Sequence, residues 1–507
     1  MNASRAAGLL HELADVAESR WPDRPAVSDA DTTLTHAELA AYSRHLATAL
    51  HALDLRKGDR MVVAVKTVGV LVPALVFAAS RLGVVFCVLH EQVRGAPLAH
   101  VLDDCAPALV VSDDGGVLAD AAVLGISAVT PDGLRTALAS AGDGPGAQPP
   151  ATVPLSVDPA CLIYTSGSTA LPKAVVATHA QAGFAVEAIH TVLGYRPHDV
   201  VHCALPLSFD YGLYQVFLGA RSGAHVRLAA TRATGPLLLR ELLSGGATVL
   251  PAVPSIADAL AWLLRRSSGP RPALRMVTNT GAAVSPATLA ELRAGLPGVR
   301  IHVMFGLTEC KRATIMPADG DLGRPGSCGL PLPGTEVVAC GPDGSELPPG
   351  RPGELVVRGP HVMAGYWRRP AQTAARFPRR HGLFPELRTG DRGWVDADGY
   401  VYFAGRDDDL YKERGFRVST LEVEEAARRV PGVDAALVLT PDGPHRACLL
   451  VVSTLARDEV LLRMREQIEP AKIPCHCTVV ARLPLNANGK PDRRAAAALV
   501  RGAGGDS

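Results

Sequence analysis

The chain lacks an excess of charge of either sign. Its 507 residues include 51 lysines or arginines against 50 aspartates or glutamates, a formal net charge of +1. This balance does not indicate the strongly charged surface that proteins use to bind nucleic acid or anionic lipid. We therefore expect neither nucleic acid nor a membrane among its partners.

Long hydrophobic runs are missing as well. The first residues, Met-Asn-Ala-Ser-Arg, lack the apolar segment of a secretory signal. The longest apolar stretch, residues 68–80, contains Pro73 and is bounded by Lys66 and Arg81. It is too short to span a bilayer and favours a buried helix. We expect a cytoplasmic protein.

The ten cysteines show no spacing typical of a disulfide framework. In a reducing compartment we expect free, buried thiols. The one cluster, Cys475-His476-Cys477, lacks the second ligand pair that a zinc site requires, so it predicts no metal site. Cys310 is expected to be a small buried hydrophobe.

Apolar runs and helical stretches alternate along the chain. Val/Leu/Ile runs such as residues 60–65 and 109–112 alternate with Ala/Leu/Arg-rich stretches such as residues 39–53. This order predicts an α/β fold, with a large layered N-terminal domain built on parallel-rich sheets.

The C-terminal part of the chain has a different character. An amphipathic, Glu/Arg-rich helix is predicted over residues 421–429, followed by apolar strands at 435–439 and 447–452. These elements indicate a small α+β domain. The Gly-rich end, residues 501–507, is expected to be disordered.

Residues 164–173 form a candidate phosphate loop. They read Tyr-Thr-Ser-Gly-Ser-Thr-Ala-Leu-Pro-Lys and follow an apolar run. A strand that ends in a flexible loop with free backbone N–H groups, hydroxyls and an ammonium is suited to cradle a polyphosphate. The Gly-x-x-x-x-Gly-Lys-Ser/Thr spacing of common NTPases does not occur here. A plain surface turn is the alternative.

This loop resembles the phosphate-binding signature of the adenylate-forming superfamily, which includes acyl-CoA synthetases, peptide-synthetase adenylation domains and luciferases. The signature has glycine where this chain has Ala170 and Ala174, and the two methyl groups stiffen the loop. Further segments resemble the family's other motifs, in the family's order: residues 305–309, 388–391, 405–409 and 483–490. The resemblance spans nearly the whole chain.

The resemblance implies ATP and Mg²⁺, with a pantetheine thiol as co-substrate. Phe305 would pack its ring on adenine, Thr308 would contact phosphate, and Glu309 would bind Mg²⁺, which prefers hard oxygen ligands. Asp391 and Arg406 would contact the ribose. The implied nucleotide-binding residues are Thr165, Ser166, Gly167, Ser168, Thr169, Lys173, Phe305, Asp391 and Arg406.

Three C-terminal residues would serve the catalytic cycle. Lys490 matches the family's catalytic lysine, which stabilises charge between the carboxylate and the α-phosphate. Asp408 matches the hinge, which divides the chain into an N-terminal domain, residues 1–407, and a mobile lid, residues 408–507. Gly415 resembles the lid glycine beside the pantetheine tunnel. A lid that closes over the first step and then presents another face protects the acyl-adenylate from water.

The acyl substrate is expected to meet Asp210. This residue falls where amino-acid-activating relatives place an aspartate that pairs with the substrate amino group. The residues aligned around the acyl pocket are Phe209, Asp210, Tyr211, Tyr214, Pro251, Thr278, Thr280, Gly281, Met304 and Arg312. This polar and aromatic lining is too filled for a long fatty chain. Some acyl and aryl ligases also carry Phe-Asp here, however, and a buried aspartate can instead bond to backbone or to a tyrosine hydroxyl.

The implied function is ATP-dependent activation of a small or planar carboxylic acid, an amino acid or amino-bearing acid, to an acyl-adenylate. The acyl group would then form a thioester on a carrier-protein phosphopantetheine in secondary metabolism. Because the chain begins just before the adenylation fold and ends just after Lys490, we expect an acyl or peptidyl carrier protein to act in trans. An aryl- or acyl-CoA ligase that uses free CoA is the alternative.

Two hypotheses come from other classes. A non-enzymatic acyl-nucleotide sensor would have no use for Lys490, Asp408 and Gly415. A luciferase-like oxygenase would emit light when ATP and O₂ are added, which we do not expect.

Overall fold

The computed structural model describes residues 8–66, 69–141, 153–165, 172–229, 236–380, 382–406, 410–413, 416–441, 446–468, 470–486 and 489–503. Two compact units share the chain. The first unit comprises Met1–Arg324, Gly329–Glu336 and Val357–Arg388, and the second comprises Pro325–Cys328, Val337–Val356 and Thr389–Ser507. Asp408 lies outside the described residues, and the boundary at this position stays a prediction.

The helices of the described residues are α1 Leu10–Arg20, α2 His36–Ala52, α3 Leu71–Leu82, α4 Gly95–Cys105, α5 Gly115–Val123, α6 Pro131–Ala141, α7 His179–Leu193, α8 Asp210–Ser222, α9 Pro236–Ser244, α10 Pro254–Arg266, α11 Pro286–Gly295, α12 Pro370–Arg376, α13 Thr420–Arg428, α14 Arg457–Met464 and α15 Arg493–Ala503. Short 3₁₀ turns occur at Gly320–Leu322 and Pro470–Lys472.

The strands of the described residues are β1 Pro25–Ser28, β2 Thr33–Thr35, β3 Arg60–Val63, β4 Val85–Val88, β5 Leu109–Val111, β6 Ala128–Val129, β7 Pro159–Thr165, β8 Lys173–Thr178, β9 Val200–Cys203, β10 His225–Leu228, β11 Val249–Ala252, β12 Met276–Asn279, β13 Arg300–Phe305, β14 Thr314–Ile315, β15 Ser327–Pro331, β16 Glu336–Cys340, β17 Gly353–Arg358, β18 Gly365–Tyr366, β19 Arg379–Arg380, β20 Phe384–Val395, β21 Val401–Arg406, β22 Leu410–Glu413, β23 Phe416–Ser419, β24 Val433–Leu439, β25 Cys448–Ser453 and β26 His476–Val479.

The first unit is built on parallel-rich sheets. One sheet runs in the order β14-β13-β12-β11-β9-β10-β1-β2, and its pairs from β13 to β1 are parallel. Another runs in the order β18-β8-β7-β4-β3-β5-β6, with parallel pairs from β7 to β6. Strands separated by helices in the chain produce this arrangement, because a parallel pair requires a crossover connection. The predicted α/β class is confirmed.

Two helices of the first unit illustrate how the sequence specifies them. The hydroxyl of Thr35 accepts a hydrogen bond from the Glu38 N–H at the start of α2, and the Glu38 carboxylate accepts one from the Thr35 N–H. Such a reciprocal cap satisfies backbone donors that a helix start leaves free. Apolar residues occupy most faces of α3, whose central side chains are fully buried, so the buried helix favoured by residues 68–80 is present.

The second unit has the predicted α+β character. Helix α13 packs on a sheet ordered β24-β25-β26, and β16, β17, β20 and β21 form successive neighbours in another sheet. The expected disorder of residues 501–507 is wrong for residues 501–503, which lie in α15. This helix is amphipathic, with Ala496 buried against Leu437 and Leu450 and Val500 packed on the same cluster, so it has an apolar surface to cover.

The cysteines are free, as expected. Most of them are buried, whereas Cys475 is exposed and Cys328 is half-buried. Among the helices that the structure describes, none has both the length and the apolarity that a membrane crossing requires.

Candidate active site

The acyl half of the candidate site lies at the carboxyl ends of parallel strands in the first unit. Pro251 of β11 pairs with Thr278 of β12, and β13 extends the same edge to Met304 and Phe305. Because parallel strands end at one edge of their sheet, these predicted pocket residues lie close together. The strand register therefore explains why these pocket residues, which are far apart in the sequence, lie close together in the structure.

Two further predicted residues follow β12 directly. Thr280 is buried, and Gly281 adopts a φ of 95°. That conformation lies in the left-handed region, which glycine adopts without steric cost. A larger residue at Gly281 would strain the turn that ends this strand.

Tyr211 connects α8 to the strand ends. Its hydroxyl donates to the Thr278 carbonyl oxygen at 2.9 Å and lies 2.6 Å from the Thr278 Oγ1. Its ring packs edge-on against Phe209, with centroids 6.3 Å apart. Burial raises the pKa of the Tyr211 phenol, so the hydroxyl keeps its proton and acts as a donor.

Asp210 is the first residue of α8 and is 3% exposed. The helix N-terminus favours a carboxylate at this position. Its Oδ2 lies 3.8 Å from the Nη1 of Arg312, beyond hydrogen-bond distance. Because Tyr211 bonds to Thr278, its hydroxyl does not serve as the tyrosine partner considered for Asp210. The pairing of Asp210 with a substrate amino group stays a prediction.

The segment from Phe305 to Arg312 is a tight return loop. The Ala313 N–H donates to the Phe305 carbonyl oxygen at 2.9 Å, which closes the loop onto β14. A Cβ atom at Gly306 would clash with the carbonyl oxygen of Lys311, so only glycine fits there. Thr308 and Glu309, predicted for phosphate and metal, lie on this loop; Thr308 is half-buried and Glu309 is 8% exposed.

The same loop ends in two buried cations. The Arg312 guanidinium carbon lies 4.5 Å from the Tyr211 ring centroid, and Nη1 donates to the Lys311 carbonyl oxygen at 2.6 Å. Lys311 is 1% exposed, and its Nζ lies 5.5 Å from the ring centroid of Tyr214, another predicted pocket residue. The motifs did not predict a role for Lys311. The available signal was its place beside Arg312, two residues after Glu309.

Glu309 has a partner that the motifs did not predict. The Tyr366 hydroxyl donates to Glu309 Oε1 at 2.7 Å, and the Lys173 Nζ lies 3.8 Å from the Tyr366 ring centroid. Burial, followed by the charge of Glu309, raises the pKa of the Tyr366 phenol. The Met363 N–H also donates to the Glu309 carbonyl oxygen at 2.9 Å. One tyrosine therefore contacts both the predicted metal ligand and the predicted phosphate-loop lysine.

The donor set around Glu309 fits Mg²⁺. The described residues contain no group of three His, Cys, Asp or Glu side chains that could hold a metal ion by themselves. Mg²⁺ is commonly bound by one or two carboxylates, with phosphate oxygens and water completing its octahedron. A single buried carboxylate such as Glu309 suits that mode of binding.

The candidate phosphate loop connects two paired strands. Thr165 at the end of β7 pairs with Lys173 at the start of β8, and the Thr165 hydroxyl donates to the Lys173 carbonyl oxygen at 3.4 Å. The strand predicted before the loop is present. Ser166, Gly167, Ser168 and Thr169 lie outside the described residues, so their role stays a prediction.

The remaining predicted residues belong to the second unit. Asp391 is 3% exposed and lies opposite Arg406 in the antiparallel register of β20 and β21. The Asn486 N–H donates to the Lys490 carbonyl oxygen at 2.7 Å, and the Lys490 N–H donates to Asn486 Oδ1 at 3.1 Å. Gly415, like Asp408, lies outside the described residues.

Comparison with known proteins identifies the family. The family model described as "AMP-binding enzyme" matches residues 14–367. This chain belongs to that family. It is thus a member of the adenylate-forming superfamily, as the motifs predicted.

Relatives by sequence include both carrier-protein and CoA enzymes. Phenyloxazoline synthase MbtB of Mycobacterium sp. (strain MCS) is 31% identical over 98% of this chain, which spans only 42% of MbtB. The L-proline–[L-prolyl-carrier protein] ligase of Pseudomonas fluorescens (strain Pf-5) is 30% identical, over 97% of this chain and 100% of the ligase. Feruloyl-CoA synthase of Amycolatopsis sp. is 32% identical, over 92% and 94% of the two chains.

Among solved structures, VinN resembles the chain with 39% identity and a TM-score of 0.73, covering 79% of this chain and 100% of VinN. VinN has also been solved in complex with L-aspartate, at 38% identity, a TM-score of 0.72, and 79% and 99% coverage. These likenesses support the fold of the described residues.

Proposed function

We propose that this protein is an AMP-forming acid–thiol ligase that activates a small amino acid and transfers it to the phosphopantetheine of a carrier protein. The observation that carries the proposal is the buried Asp210 carboxylate at the acyl end of the pocket. Its 3.8 Å contact with Arg312 leaves it short of a hydrogen bond. A substrate ammonium would supply the close, charge-assisted contact that a buried carboxylate requires.

The first step is adenylation. A carboxylate oxygen of the acid attacks the α-phosphorus of ATP, and the bond from that phosphorus to the bridging oxygen breaks as pyrophosphate leaves. Two anions must approach each other, so cations have to offset the repulsion and hold the in-line geometry. Thr165, residues 166–169 and Lys173 hold the leaving pyrophosphate, and Lys490 stabilises the charge between the carboxylate and the α-phosphate.

The other nucleotide contacts are proposed for the remaining motif residues. Glu309, oriented by Tyr366, would hold Mg²⁺, which neutralises phosphate charge when it is bound. Phe305 packs on adenine, Thr308 contacts phosphate, and Asp391 with Arg406 contacts the ribose. The Tyr366 hydroxyl at 2.7 Å fixes one carboxylate oxygen of Glu309, which lowers the cost of orienting this ligand.

The second step is thiol transfer. The pantetheine sulfur attacks the acyl carbon, the bond from that carbon to the phosphate oxygen breaks, and AMP leaves. Rotation at Asp408 moves Lys490 away between the steps, and Gly415 lets the thiol arm pass close to the backbone. Lid movement explains how one site serves two different reactions.

The acceptor is a carrier protein in this proposal. The prolyl-carrier-protein ligase, which this chain matches over its whole length, supports that choice. The relation to feruloyl-CoA synthase supports free CoA as the second candidate. A carrier protein and CoA present the same thiol arm, so the pocket residues alone suit both.

ATP–pyrophosphate exchange tests the proposal. The panel covers small amino acids, β-amino acids, aminobenzoates, hydroxybenzoates and medium-chain fatty acids, and we expect an amino acid to lead it. Thioester formation with holo-carrier protein and with CoA then assigns the acceptor. Hydroxybenzoates or fatty acids at the head of the panel would contradict the proposal and favour the CoA-ligase alternative.

A further inference from the structure

The acyl end of the pocket contains more positive than negative charge. Asp210, Lys311 and Arg312 are 3%, 1% and 5% exposed. Their formal charges are two positive and one negative. Burying an uncompensated charge is costly unless a partner of opposite sign completes the site. The imbalance therefore has to be explained by something that the pocket binds.

Lys311 is the source of this imbalance. Within the described part of the chain its Nζ has no hydrogen-bond partner. The Asp210 carboxylate pairs with Arg312 rather than with Lys311. The nearby Tyr214 ring offers only a distant cation–π contact, at 5.5 Å, and the Tyr214 hydroxyl is likewise unpartnered among the described residues. The Lys311 ammonium and the Tyr214 hydroxyl are therefore both buried without a hydrogen-bond acceptor among the described residues.

Lys311 and Asp210 act on the same buried neighbour. Burial raises the pKa of the Cys161 thiol to about 11, Lys311 opposes this rise, and Asp210 adds to it. The ammonium and the carboxylate therefore share one neighbourhood of the first unit.

The backbone holds Lys311 in an unusual conformation. Its φ is 62°, in the left-handed region that residues other than glycine seldom adopt. The Lys311 carbonyl oxygen lies so close to Gly306 that a Cβ atom there would clash with it. Such local strain is typical of sites whose side chains must be aimed at a ligand.

We infer that Lys311, together with Arg312, forms an anion subsite for a second carboxylate, so that the preferred substrate is an amino dicarboxylic acid. The inference rests on the proposed function, which places the substrate ammonium at Asp210. An amino dicarboxylate carries a net charge of −1, which complements the net +1 of the three side chains. A neutral amino acid leaves the Lys311 ammonium unpaired. A simple monoacid does the same, because its one carboxylate lies at the reacting position.

Wild-type protein alone gives the first test. ATP–pyrophosphate exchange is measured with matched acids: L-aspartate, L-asparagine, L-2-aminobutyrate, L-glutamate and succinate. We expect an amino dicarboxylate to exceed its amide and its apolar counterpart by at least about 30-fold in kcat/KM, the factor typical of pairing a buried charge. Asparagine or aminobutyrate ahead of both dicarboxylates would overturn the inference and leave amino-acid activation standing.

Other results separate the two proposals. Succinate equal to aspartate would retain the anion subsite but contradict the ammonium role of Asp210. If none of these acids exchanges and hydroxybenzoates or fatty acids do, the proposed function fails together with the inference. Each outcome follows from the wild-type protein, so none depends on a variant that folds.

Variants at position 311 give the second test. Lys311→Met should lower kcat/KM for the dicarboxylate by at least about 30-fold, mainly through KM, and remove the preference over the amide. Lys311→Arg should restore most of that preference. The KM for ATP should not change, which distinguishes a lost subsite from a damaged fold. Lys66→Met is the matched control, because the Lys66 side chain is 56% exposed and pairs with Asp114 at the surface. Equal losses for dicarboxylate and amide in Lys311→Met would contradict the inference.

Discussion

The two units present their candidate functional groups in different ways. In the first unit, Asp210, Lys311 and Arg312 are buried and are held by a helix start and a tight return loop. In the second unit, Lys490 is half-buried, and its backbone groups bond to the N–H and to the side-chain oxygen of Asn486. A packed pocket can discriminate among acids because its side chains cannot rearrange cheaply. We propose that the first unit determines which acid binds, whereas the second unit supplies the catalytic Lys490.

The largest effect that this contrast predicts is at Lys490. Lys490→Ala should lower adenylate formation at least about 100-fold, because a preorganised charge aimed at a transition state contributes several kcal/mol. Thioester formation from presynthesised acyl-adenylate should survive, since the lid has then moved. Pyrophosphate exchange and the thioester assay measure the two steps separately. Lys472→Ala, at a lysine that pairs with Glu422, is the control. Equal loss of both steps in a folded variant would remove Lys490 from its assigned role.

A smaller and more selective effect is expected at the hinge. Asp408→Pro should reduce thioester formation about tenfold or more while sparing adenylation, because proline fixes φ and blocks the rotation between lid positions. Asp408→Ala keeps that rotation free and serves as the control. The ratio of the two half-reaction rates is the measured quantity. If both rates fall together in the proline variant, the hinge lies elsewhere.

Tyr366 tests whether the first unit also positions the nucleotide. Tyr366→Phe removes the hydrogen bond to Glu309 but keeps the ring under Lys173, so we expect about a tenfold rise in the Mg²⁺ concentration needed for half-maximal exchange. Tyr366→Leu should in addition raise the KM for ATP. Tyr164→Phe is the matched control, since the Tyr164 hydroxyl donates to Asp104 instead. If Tyr164→Phe and Tyr366→Phe raise the Mg²⁺ concentration for half-maximal exchange equally, the role of Tyr366 is only structural.

Acid should affect the units unequally. Burial lowers the pKa of five histidines of the first unit from 6.5 to about 4, namely His36, His179, His202, His225 and His361. Between pH 6.5 and about pH 4 the unfolded chain binds more protons than the folded chain. The stability that these neutral, buried histidines contribute is therefore present above pH 6.5 and is lost as the pH falls toward about 4. The free energy of unfolding should fall by about 1.4 kcal/mol per pH unit for each histidine.

Hydrogen exchange measured from pH 7 to about 4.5, roughly the range over which the histidines of the unfolded chain become charged, compares the units directly. We expect amides of the first unit to lose protection first. Earlier loss of protection in the second unit would show that these histidines do not control acid unfolding.

The sequence predicted the α/β class and the positions of the motifs, because strand and helix periodicity and the motif spacings are local properties. It did not predict the contacts that complete the site. The bond from Tyr211 to Thr278 and that from Tyr366 to Glu309 join residues brought together only by sheet register and loop packing. The close approach of the Lys311 carbonyl oxygen to Gly306 is likewise a contact that no local pattern reveals.

The C-terminal segment also shows where prediction from sequence fails, because here the sequence predicted disorder and the structure has a helix. Its glycines indicated disorder from residue 501, yet α15 extends to Ala503 because its apolar face has a cluster to pack on. Composition describes what a segment prefers alone, and tertiary packing decides whether that preference is kept.

The central claim, that Asp210 holds a substrate ammonium, is tested most directly by a cycle that removes each partner in turn. Pyrophosphate exchange is measured for the leading amino acid and its deaminated analogue, with the wild-type protein and with Asp210→Asn. We predict that removing the amine costs the wild-type protein roughly 2 to 4 kcal/mol in kcat/KM and costs Asp210→Asn little, because the interaction is then already lost. Equal costs in the two proteins would contradict the account.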